Sequence, residues 1–257
     1  TIQPDNLEVF YLLETGMMIW YAENVQELFD MTIAGFNVSE KPDVHVPIVT
    51  VVDGFFVSHT REAVELPADD IAIHPYDPYK APLPPIDSEM PPGRFLRDPF
   101  VMKSNYISYA THASWQWEIR SAVERSVPYA RHYLGDLAVV TGDEDAEIAF
   151  ISCGTASQQA KEAQRELSKQ GVKSKVIKLR TIRPFPKEDL LKALEGVKYA
   201  FVPEFNVVGW LANDVKAKLY GETDTEIIAG PQVAGGMSMP AEAIITEVME
   251  KVNGKGA

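Results

Sequence analysis

From residue 146 to residue 257, the chain alternates short apolar segments with longer segments of helical periodicity, and this alternation constrains the fold more than any other feature. We predict strands at 147–153, 175–179, 199–203 and 226–228, and helices at 157–170, 187–195, 208–219 and 241–252. Gly171 is placed to end the first of these helices, and Pro240 to begin the last. Strands and helices that alternate at these lengths build a parallel sheet covered by helices. The sequence therefore predicts an α/β fold with a parallel-sheet domain at 138–257.

Residues 1–70 form a second region, in which apolar strands alternate with one helix. Asn24 followed by Glu27 is the pattern of a capping box, so the helix is expected to begin there. The run 46–52 is short, rich in β-branched residues and apolar on both faces, which predicts a buried parallel strand. Asp53 and Gly54 end this strand.

Between these regions, residues 71–137 contain a proline-rich connection and a helical segment. Eight of the eighteen prolines lie from Pro75 to Pro99, and proline excludes a regular helix or a central strand there. We expect this connection to lie extended against another domain or subunit. The segment 106–134 is expected to be mostly helical, with Pro128 beginning or kinking a turn. Two interpretations of its aromatic residues stay open, core packing and a subunit interface; these residues are Trp115, Trp117 and Tyr133.

Charge and composition exclude several classes of function. The net charge of −13 argues against nucleic acid or an anionic membrane as a partner. No apolar run reaches the roughly 18 residues of a membrane span, and the first residues lack the basic region of a secretion signal, so we expect a soluble cytoplasmic protein. Cys153 is the one cysteine, which allows neither a disulfide nor a cysteine-rich metal site within the chain. No metal ligands are therefore assigned.

The most informative candidate site is the segment 53–62, which follows the predicted buried strand. Ligands of open α/β sheets bind beyond the carboxyl ends of strands, where Ser58, His59 and Arg61 would lie. His59 is able to move a proton near neutral pH, and Arg61 is able to hold a carboxylate or phosphate. The alternative is structural: His59 hydrogen-bonds its own loop, and Arg61 pairs with Glu62 or Glu65.

Polar residues in the 138–257 region form a second set of candidates at strand ends. Glu204 and Asn206 follow the third predicted strand, where they either contact another domain or satisfy their own loop. The loop 154–157 joins a strand to a helix, so its free amides either bind an anion or are capped by Thr155 or Ser157.

Three further side chains of this region are candidates for binding or reactivity. Arg180 and Arg183 flank a proline-containing turn and either bind an anion or another subunit, or make solvated or internal pairs. Cys153 follows a buried strand and is expected to be a small packed side chain, not a nucleophile.

Several short motifs occur along the chain in a fixed order: Glu14-Thr-Gly, residues 21–27, Val46-Pro47, Asp53-Gly-Phe with Ser58-His59, Glu65, and the segments 151–155, 179–186 and 202–206. Together they resemble the thiamine-domain subunit of 2-oxoacid:ferredoxin oxidoreductases, with the pyruvate enzyme as the nearest match. The resemblance implies a partial pyrimidine-type thiamine-binding domain at 1–70 and a transketolase C-terminal-like domain at 138–257. It is weak from Ile71 to Leu134.

The resemblance also implies a reaction and a set of partners. The assembled enzyme would carry out oxidative decarboxylation of a 2-oxoacid, or its reverse, transfer the acyl group to coenzyme A, and pass electrons through [4Fe-4S] clusters to ferredoxin. Thiamine diphosphate with Mg²⁺ and the clusters would be bound mainly by other chains or segments. The chain would therefore be one subunit, or a fragment, of a higher oligomer.

In the family, the cofactor-activating glutamate and the main substrate ligands precede the Glu14-Thr-Gly motif, and no residue here corresponds to them. We therefore expect the isolated chain to be inactive and Ser58, His59 and Arg61 to form the wall or second layer of the thiamine site. Glu204 and Asn206 are expected at the interdomain, cofactor-facing edge. Ser58-His59 favours pyruvate over branched-chain or 2-oxoglutarate substrates. The alternatives are another substrate such as oxalate, a non-catalytic assembly subunit, and the β subunit of a 2-oxoacid dehydrogenase.

Overall fold

A computed structural model describes residues 4–41, 43–66 and 105–254, so the segment from Pro75 to Pro99 lies outside the described residues. The strands are β1 Met18–Ala22, β2 Ile48–Val52, β3 Ala138–Gly142, β4 Ile148–Ser152, β5 Ser174–Leu179, β6 Thr181–Arg183, β7 Tyr199–Glu204 and β8 Glu226–Gln232. The helices are α1 Leu7–Tyr11, followed by a 3₁₀ turn at Leu12–Thr15, α2 Val25–Ser39, α3 Asn105–Leu134, α4 Ala156–Lys169, α5 Lys187–Ala193, α6 Trp210–Leu219 and α7 Ala241–Val252.

The larger sheet has the order β3-β5-β4-β7-β8. Strands β4, β5, β7 and β8 run parallel, and β3 pairs antiparallel with β5 at the edge. The four strands and four helices predicted after residue 146 are all present. Strand β3 was not predicted, because an edge strand needs no continuous apolar run, and Val140 within it is exposed.

The smaller sheet has the order β2-β1-β6. Strand β2 runs parallel to β1, with Met18 opposite Ile48, and β6 pairs antiparallel on the other side. The prediction of a parallel strand in 46–52 is confirmed, but the prediction that it is buried is wrong. It lies at the edge and is half-buried, whereas the central strand β1 is buried throughout.

Strand β6 connects the two sheets along the chain. It follows β5 of the larger sheet after one residue but pairs with β1 of the smaller sheet, where Trp20 lies opposite Thr181. The sequence predicts no strand at this turn, which Arg180 and Arg183 flank. Strand β6 has only three residues, which is too short to show a periodicity in the sequence. It becomes a strand because it pairs with β1. The predicted division of the chain at residues 70 and 137 stays a prediction.

Helix α2 begins as the capping pattern predicts. The Asn24 side chain accepts a hydrogen bond from the Glu27 amide at 2.8 Å. The Glu27 carboxylate accepts in return from the Glu23 amide at 2.9 Å, one residue before the cap. The return bond fixes Glu27 and Glu23 together at the start of the helix.

The two sheets share one apolar core. Ile19 and Tyr21 of β1 pack in the same cluster as Ile151, Ile177 and Val202 of the larger sheet. A second cluster joins the other face of β1 to helix α3, since the two share buried residues there: Met18, Trp20, Ala122, Val123 and Ala130.

Two of the three aromatic side chains predicted to pack in a core or in a subunit interface are described in helix α3, and the Trp115 side chain lies outside the described residues. Tyr133 is half-buried against the second cluster, whereas Trp117 is 68% exposed. Pro128 lies inside the helix and does not begin a turn, which corrects that part of the prediction. In the described ranges, no helix is both long and apolar enough to cross a membrane.

Candidate functional site

The carboxyl ends of β2 and β4 meet at one buried carboxylate. Asp53, the residue after β2, is 2% exposed. Its Oδ2 accepts hydrogen bonds from the backbone amide and from the hydroxyl of Thr155, each at 2.6 Å. Thr155 precedes helix α4, so the carboxylate lies at a helix N-terminus, where amides and the helix dipole favour negative charge. The loop 154–157, predicted as a possible anion site, therefore binds the Asp53 carboxylate of the same chain.

Tyr21 completes this buried group from the central strand of the smaller sheet. Its hydroxyl lies 2.5 Å from Asp53 Oδ1 and 2.6 Å from Asn6 Oδ1. The Tyr21 hydroxyl has one proton, so it donates a hydrogen bond to only one of its two neighbours. If it donates to Asp53, the Asn6 amide turned with its nitrogen toward Tyr21 donates to the hydroxyl oxygen. Burial, followed by the Asp53 charge, raises the pKa of Tyr21 well above its ordinary value. The tyrosine is therefore a neutral hydrogen-bonding group here.

Gly154 allows the close approach of these groups. Its φ is +55°, and a Cβ at this position would lie 2.3 Å from Tyr21 Cε1 and 2.5 Å from Asp53 Oδ2. A larger residue would force the ring or the carboxylate to move, so glycine is required sterically as well as conformationally.

A cavity of about 390 Å³ lies beside this group. Its lining includes Tyr21, Asp53, Ser58 and His59, together with part of the segment 4–9 at the start of the described chain. The structure thus brings two of the three wall candidates next to the carboxylate that joins the sheets. Arg61 is exposed and does not line this cavity.

The Ser58–His59 pair is held by its own turn. The Ser58 hydroxyl accepts from the Phe55 amide at 3.0 Å and lies 2.8 Å from His59 Nδ1. The His59 ring also lies 5.8 Å from the Phe55 ring. These contacts match the structural interpretation of His59, and they leave Nε2 without a partner among the described residues. Arg61 pairs with neither Glu62 nor Glu65 within the part of the chain that the structure describes.

A network of buried charges joins the two sheets on another side. Lys178 of β5 contacts the carboxylates of both Glu23, at 2.7 Å, and Glu27. Lys161 of α4 contacts Glu23 at 2.6 Å. The Lys178 and Glu23 side chains are 6% and 5% exposed, so each needs its partner to offset desolvation. This network was not predicted, although a lysine inside an apolar strand was a usable signal in the sequence.

Glu204 and Asn206, the cofactor-edge candidates, contact the start of helix α6. The Glu204 carboxylate accepts from the amides of Leu211 at 2.7 Å and Ala212 at 2.9 Å, and from Asn206 Nδ2 at 2.8 Å. Asn206 Oδ1 accepts from the Gly209 amide at 2.7 Å. Burial raises the pKa of Glu204, and these hydrogen bonds oppose the rise. Both residues therefore shape this sheet edge through their own loop, and contact with a cofactor stays a prediction.

The remaining candidates of the larger-sheet region have internal roles. Arg180 contacts Glu27 at 3.4 Å and the Leu134 carbonyl. Arg183 donates to the Leu13 carbonyl at 3.0 Å. Cys153 is buried and free, and burial followed by the charges of Asp53 and Glu204 raises the pKa of its thiol well above the ordinary value.

The cavity does not fit the diphosphate of thiamine. Its lining carries the carboxylates of Asp5, Glu8 and Asp53 and no lysine or arginine. Among residues 4–41, 43–66 and 105–254, no group of three or more metal-ligating side chains is present. The single, buried Cys153 does not fit a [4Fe-4S] cluster. Within the described ranges, the cavity lining therefore offers no lysine or arginine to a diphosphate.

Comparison with known proteins gives two adjacent family matches. Residues 1–125 match the model described as pyruvate flavodoxin/ferredoxin oxidoreductase, thiamine diphosphate-binding, and residues 146–244 match pyruvate:ferredoxin oxidoreductase core domain II. A solved structure of 2-oxoglutarate:ferredoxin oxidoreductase from Magnetococcus marinus superposes with a TM-score of 0.59 at 20% identity, covering 92% of this chain and 42% of that one. This likeness shows the fold, and the α/β prediction is confirmed.

Curated relatives agree with these matches. The ketoisovalerate oxidoreductase subunit VorA of Pyrococcus abyssi is 29% identical, over 98% of this chain and 66% of the relative. The pyruvate synthase subunit PorA of Methanothermobacter thermautotrophicus is 29% identical, over 80% of this chain and 55% of the relative. The chain thus spans less than two thirds of the length of either relative. With two family models covering most of its residues in the expected order, the chain belongs to the 2-oxoacid:ferredoxin oxidoreductase family, among the subunits with the thiamine diphosphate-binding domain.

Proposed function

We propose that this chain is part of an enzyme that oxidatively decarboxylates a 2-oxoacid, with thiamine diphosphate, coenzyme A and ferredoxin. One observation carries the proposal within this family. The carboxyl ends of both sheets converge on the Asp53–Thr155 contact, beside a cavity lined by Ser58 and His59. The carboxyl edge is where α/β sheets place their ligands.

The chain's own residues are proposed to form the wall of that site. The Ser58 hydroxyl orients the His59 ring through Nδ1, which leaves Nε2 able to donate or accept a hydrogen bond. Asp53 fixes the turn that carries both residues, because its carbonyl accepts from the Val57 amide at 3.2 Å while its carboxylate holds Thr155. Arg61 is proposed to meet an anion or another subunit from outside the cavity. Glu204 and Asn206 are proposed to shape the adjoining edge.

The groups that carry the chemistry are proposed to come from other chains or segments. Thiamine diphosphate, when bound, supplies the carbanion chemistry. Its diphosphate with Mg²⁺, the [4Fe-4S] clusters and the main substrate ligands are assigned to partners, because the cavity lining has only acidic charges and the chain has one cysteine. The assembly is proposed to be a higher oligomer.

The substrate is proposed to be pyruvate or a related 2-oxoacid. Ser58-His59 favours pyruvate, while relatives of similar identity are named for both pyruvate and ketoisovalerate. Oxalate is a further substrate to be tested.

A second candidate function is a non-catalytic assembly subunit. The described cavity lining contains no lysine or arginine, which favours it, because a 2-oxoacid is an anion.

The test is reconstitution. The chain is co-expressed with thiamine diphosphate-binding and iron–sulfur subunits of the same enzyme type and purified as a complex. We expect coenzyme A-dependent ferredoxin reduction with pyruvate, and weaker rates with ketoisovalerate, 2-oxoglutarate or oxalate. The isolated chain is expected to show neither turnover nor stoichiometric iron. A complex that forms but turns over none of these substrates would support the assembly role, and a chain that associates with none of the subunits contradicts both.

A further inference from the structure

The turn after β2 contains an aromatic residue in a backbone conformation that side chains rarely adopt. Phe55 has a φ of +63°, in the left-handed region, where bulky residues are uncommon and glycine is favoured. Its side chain is 51% exposed, so burial of the ring offsets little of this cost. Backbone strain of this kind persists where surrounding contacts hold the residue in place, and it concentrates at functional sites. The contacts of Phe55 therefore indicate what the residue does.

Phe55 contacts His59 in two ways, through its backbone and through its ring. The Phe55 amide donates to Ser58 Oγ at 3.0 Å, and that oxygen lies 2.8 Å from His59 Nδ1. The Phe55 ring lies 5.8 Å from the imidazole, centre to centre, with the two planes tilted by 33°. A further contact, edge-on to the ring of Phe56, stays within the same exposed turn. Phe55 thus packs beside the imidazole and fixes the serine that contacts its Nδ1.

The direction of these hydrogen bonds favours one tautomer of His59. The Phe55 amide is only a donor, so it occupies a lone pair of the Ser58 oxygen and leaves the serine proton available. Within the described ranges, His59 Nδ1 is the acceptor next to that proton. When the hydroxyl donates to Nδ1, the neutral imidazole carries its own proton on Nε2. The reverse arrangement would leave the serine proton without a protein acceptor, so the Nε2–H form is favoured.

The cavity of about 390 Å³ needs the hydrogen-bond donor that this form of His59 supplies. His59 lines the cavity together with three carboxylates, which are acceptors, those of Asp5, Glu8 and Asp53. The carboxyl and keto oxygens of a 2-oxoacid are also acceptors, so they require donors from the lining. His59 Nε2 has no partner among the residues that the structure describes. Its proton is therefore left to donate to such an oxygen.

We propose that Phe55 is a positioning residue that acts through His59. Its amide and its ring hold the imidazole so that Nε2–H donates a hydrogen bond to an oxygen of the 2-oxoacid. The contact with the substrate rests on the proposed function, whereas the positioning of His59 is a property of this chain by itself.

The first test measures the tautomer of His59 in the isolated full chain. Nitrogen NMR of the imidazole at mildly alkaline pH, where ordinary histidines are neutral, distinguishes Nδ1–H from Nε2–H, and His59→Gln assigns the signals. We expect the Nε2–H form in the wild type and a larger share of the Nδ1–H form in Ser58→Ala. A wild-type chain with His59 mainly in the Nδ1–H form overturns the proposal and leaves the proposed function intact.

The second test measures kcat/KM for pyruvate in the reconstituted complex. Phe55→Leu is expected to lower it on the order of tenfold, and Phe55→Tyr, which keeps the ring, to leave it near the wild-type value. Phe36→Leu, which trims a ring of similar exposure on α2, is the matched control and should have no effect. Because Phe55 acts through His59, Phe55→Leu should cost little further in the His59→Ala background. A full additive loss in that background, or no loss in the single variant, contradicts the proposal.

Phe55→Gly separates positioning from a structural role of the turn. Glycine adopts the left-handed φ without strain, so the isolated variant is expected to unfold at the wild-type temperature or higher, while kcat/KM falls as in Phe55→Leu. A lower unfolding temperature with wild-type kcat/KM would show that the ring is structural and overturns the proposal. A wild-type complex that turns over no 2-oxoacid overturns the substrate contact together with the proposed function, and the tautomer of His59 then decides the positioning alone.

Discussion

Asp53 and Thr155 lie 102 residues apart in the chain, yet the carboxylate of one accepts two hydrogen bonds from the other, both at 2.6 Å. The contact joins the carboxyl edge of the smaller sheet to a helix N-terminus of the larger sheet. It also holds the turn that carries Ser58 and His59. The orientation of the candidate site therefore depends on one buried side chain.

Asp53→Asn should weaken this junction. An amide nitrogen in place of Oδ2 would face the Thr155 amide, which is itself a donor. We expect unfolding free energy to fall by about 2–3 kcal/mol, measured by urea denaturation. Asp145→Asn, which changes an exposed carboxylate paired with Lys173, should change stability little. Equal stability of Asp53→Asn and the wild type would show that the carboxylate does not hold the sheets together.

Lys178→Met should be more damaging, because it removes the cation that Glu23 and Glu27 share and leaves Glu23 with Lys161 alone and Glu27 with the more distant Arg180. Removing one partner of a buried ion pair costs about 3–5 kcal/mol. Lys169→Met, which breaks an exposed pair with Glu166 on α4, is the control and should have little effect. Stability is again measured by urea denaturation, and a loss no larger than that of the control would contradict the role of the network.

The same network predicts a pH dependence. Burial acts to raise the pKa of Glu27, but the hydrogen bond and charge of Lys178 outweigh it, and the pKa is lowered. A carboxyl whose pKa is lowered by folding contributes stability above its unfolded pKa, and that stability is lost as pH falls through the folded value. The stability difference between wild type and Lys178→Met should therefore shrink on acidification below the ordinary glutamate range. A difference that is constant with pH would contradict this assignment.

His59→Ala should lower turnover of the reconstituted enzyme moderately, by less than about 10²-fold, while the complex still assembles. A positioned proton-transfer group contributes about 10²–10⁴-fold, so a loss near the top of that range would make His59 a principal catalytic residue. Ser58→Ala, which removes the contact with Nδ1, should reproduce part of the loss.

Arg61→Ala distinguishes two roles of an exposed arginine. A raised KM with unchanged kcat would indicate uniform ligand binding, and lost assembly would indicate a subunit contact. We expect no change in the stability of the isolated chain, because Arg61 is exposed and makes no hydrogen bond or ion pair with any described residue.

Cys153 should be unreactive in the folded protein. Its thiol is buried and its pKa is raised, so little of the reactive thiolate is present. Iodoacetamide at mildly alkaline pH should modify the native chain slowly and the urea-unfolded chain rapidly, as followed by mass spectrometry. Rapid modification of the native chain would show that this strand end opens in solution.

The sequence by itself determined most of the elements and the fold class. Local signals sufficed for these, because a cap such as Asn24, a stop such as Gly171 and the period of apolar residues each act over a few positions. The same motifs in order were also enough to identify the family. Ser58 and His59 were found for a similar reason, since they follow a recognisable strand.

Only the tertiary structure decided which strand is central and which residues meet. β1 is buried because β2 and β6 flank it, and β6 exists only because β1 pairs with it. The Asp53–Thr155 contact and the Lys178–Glu23 contact each join residues more than 100 positions apart. The Tyr21–Asp53 contact spans 32 positions. No local pattern encodes such contacts, because their energy appears only when burial removes water from groups that separate segments bring together.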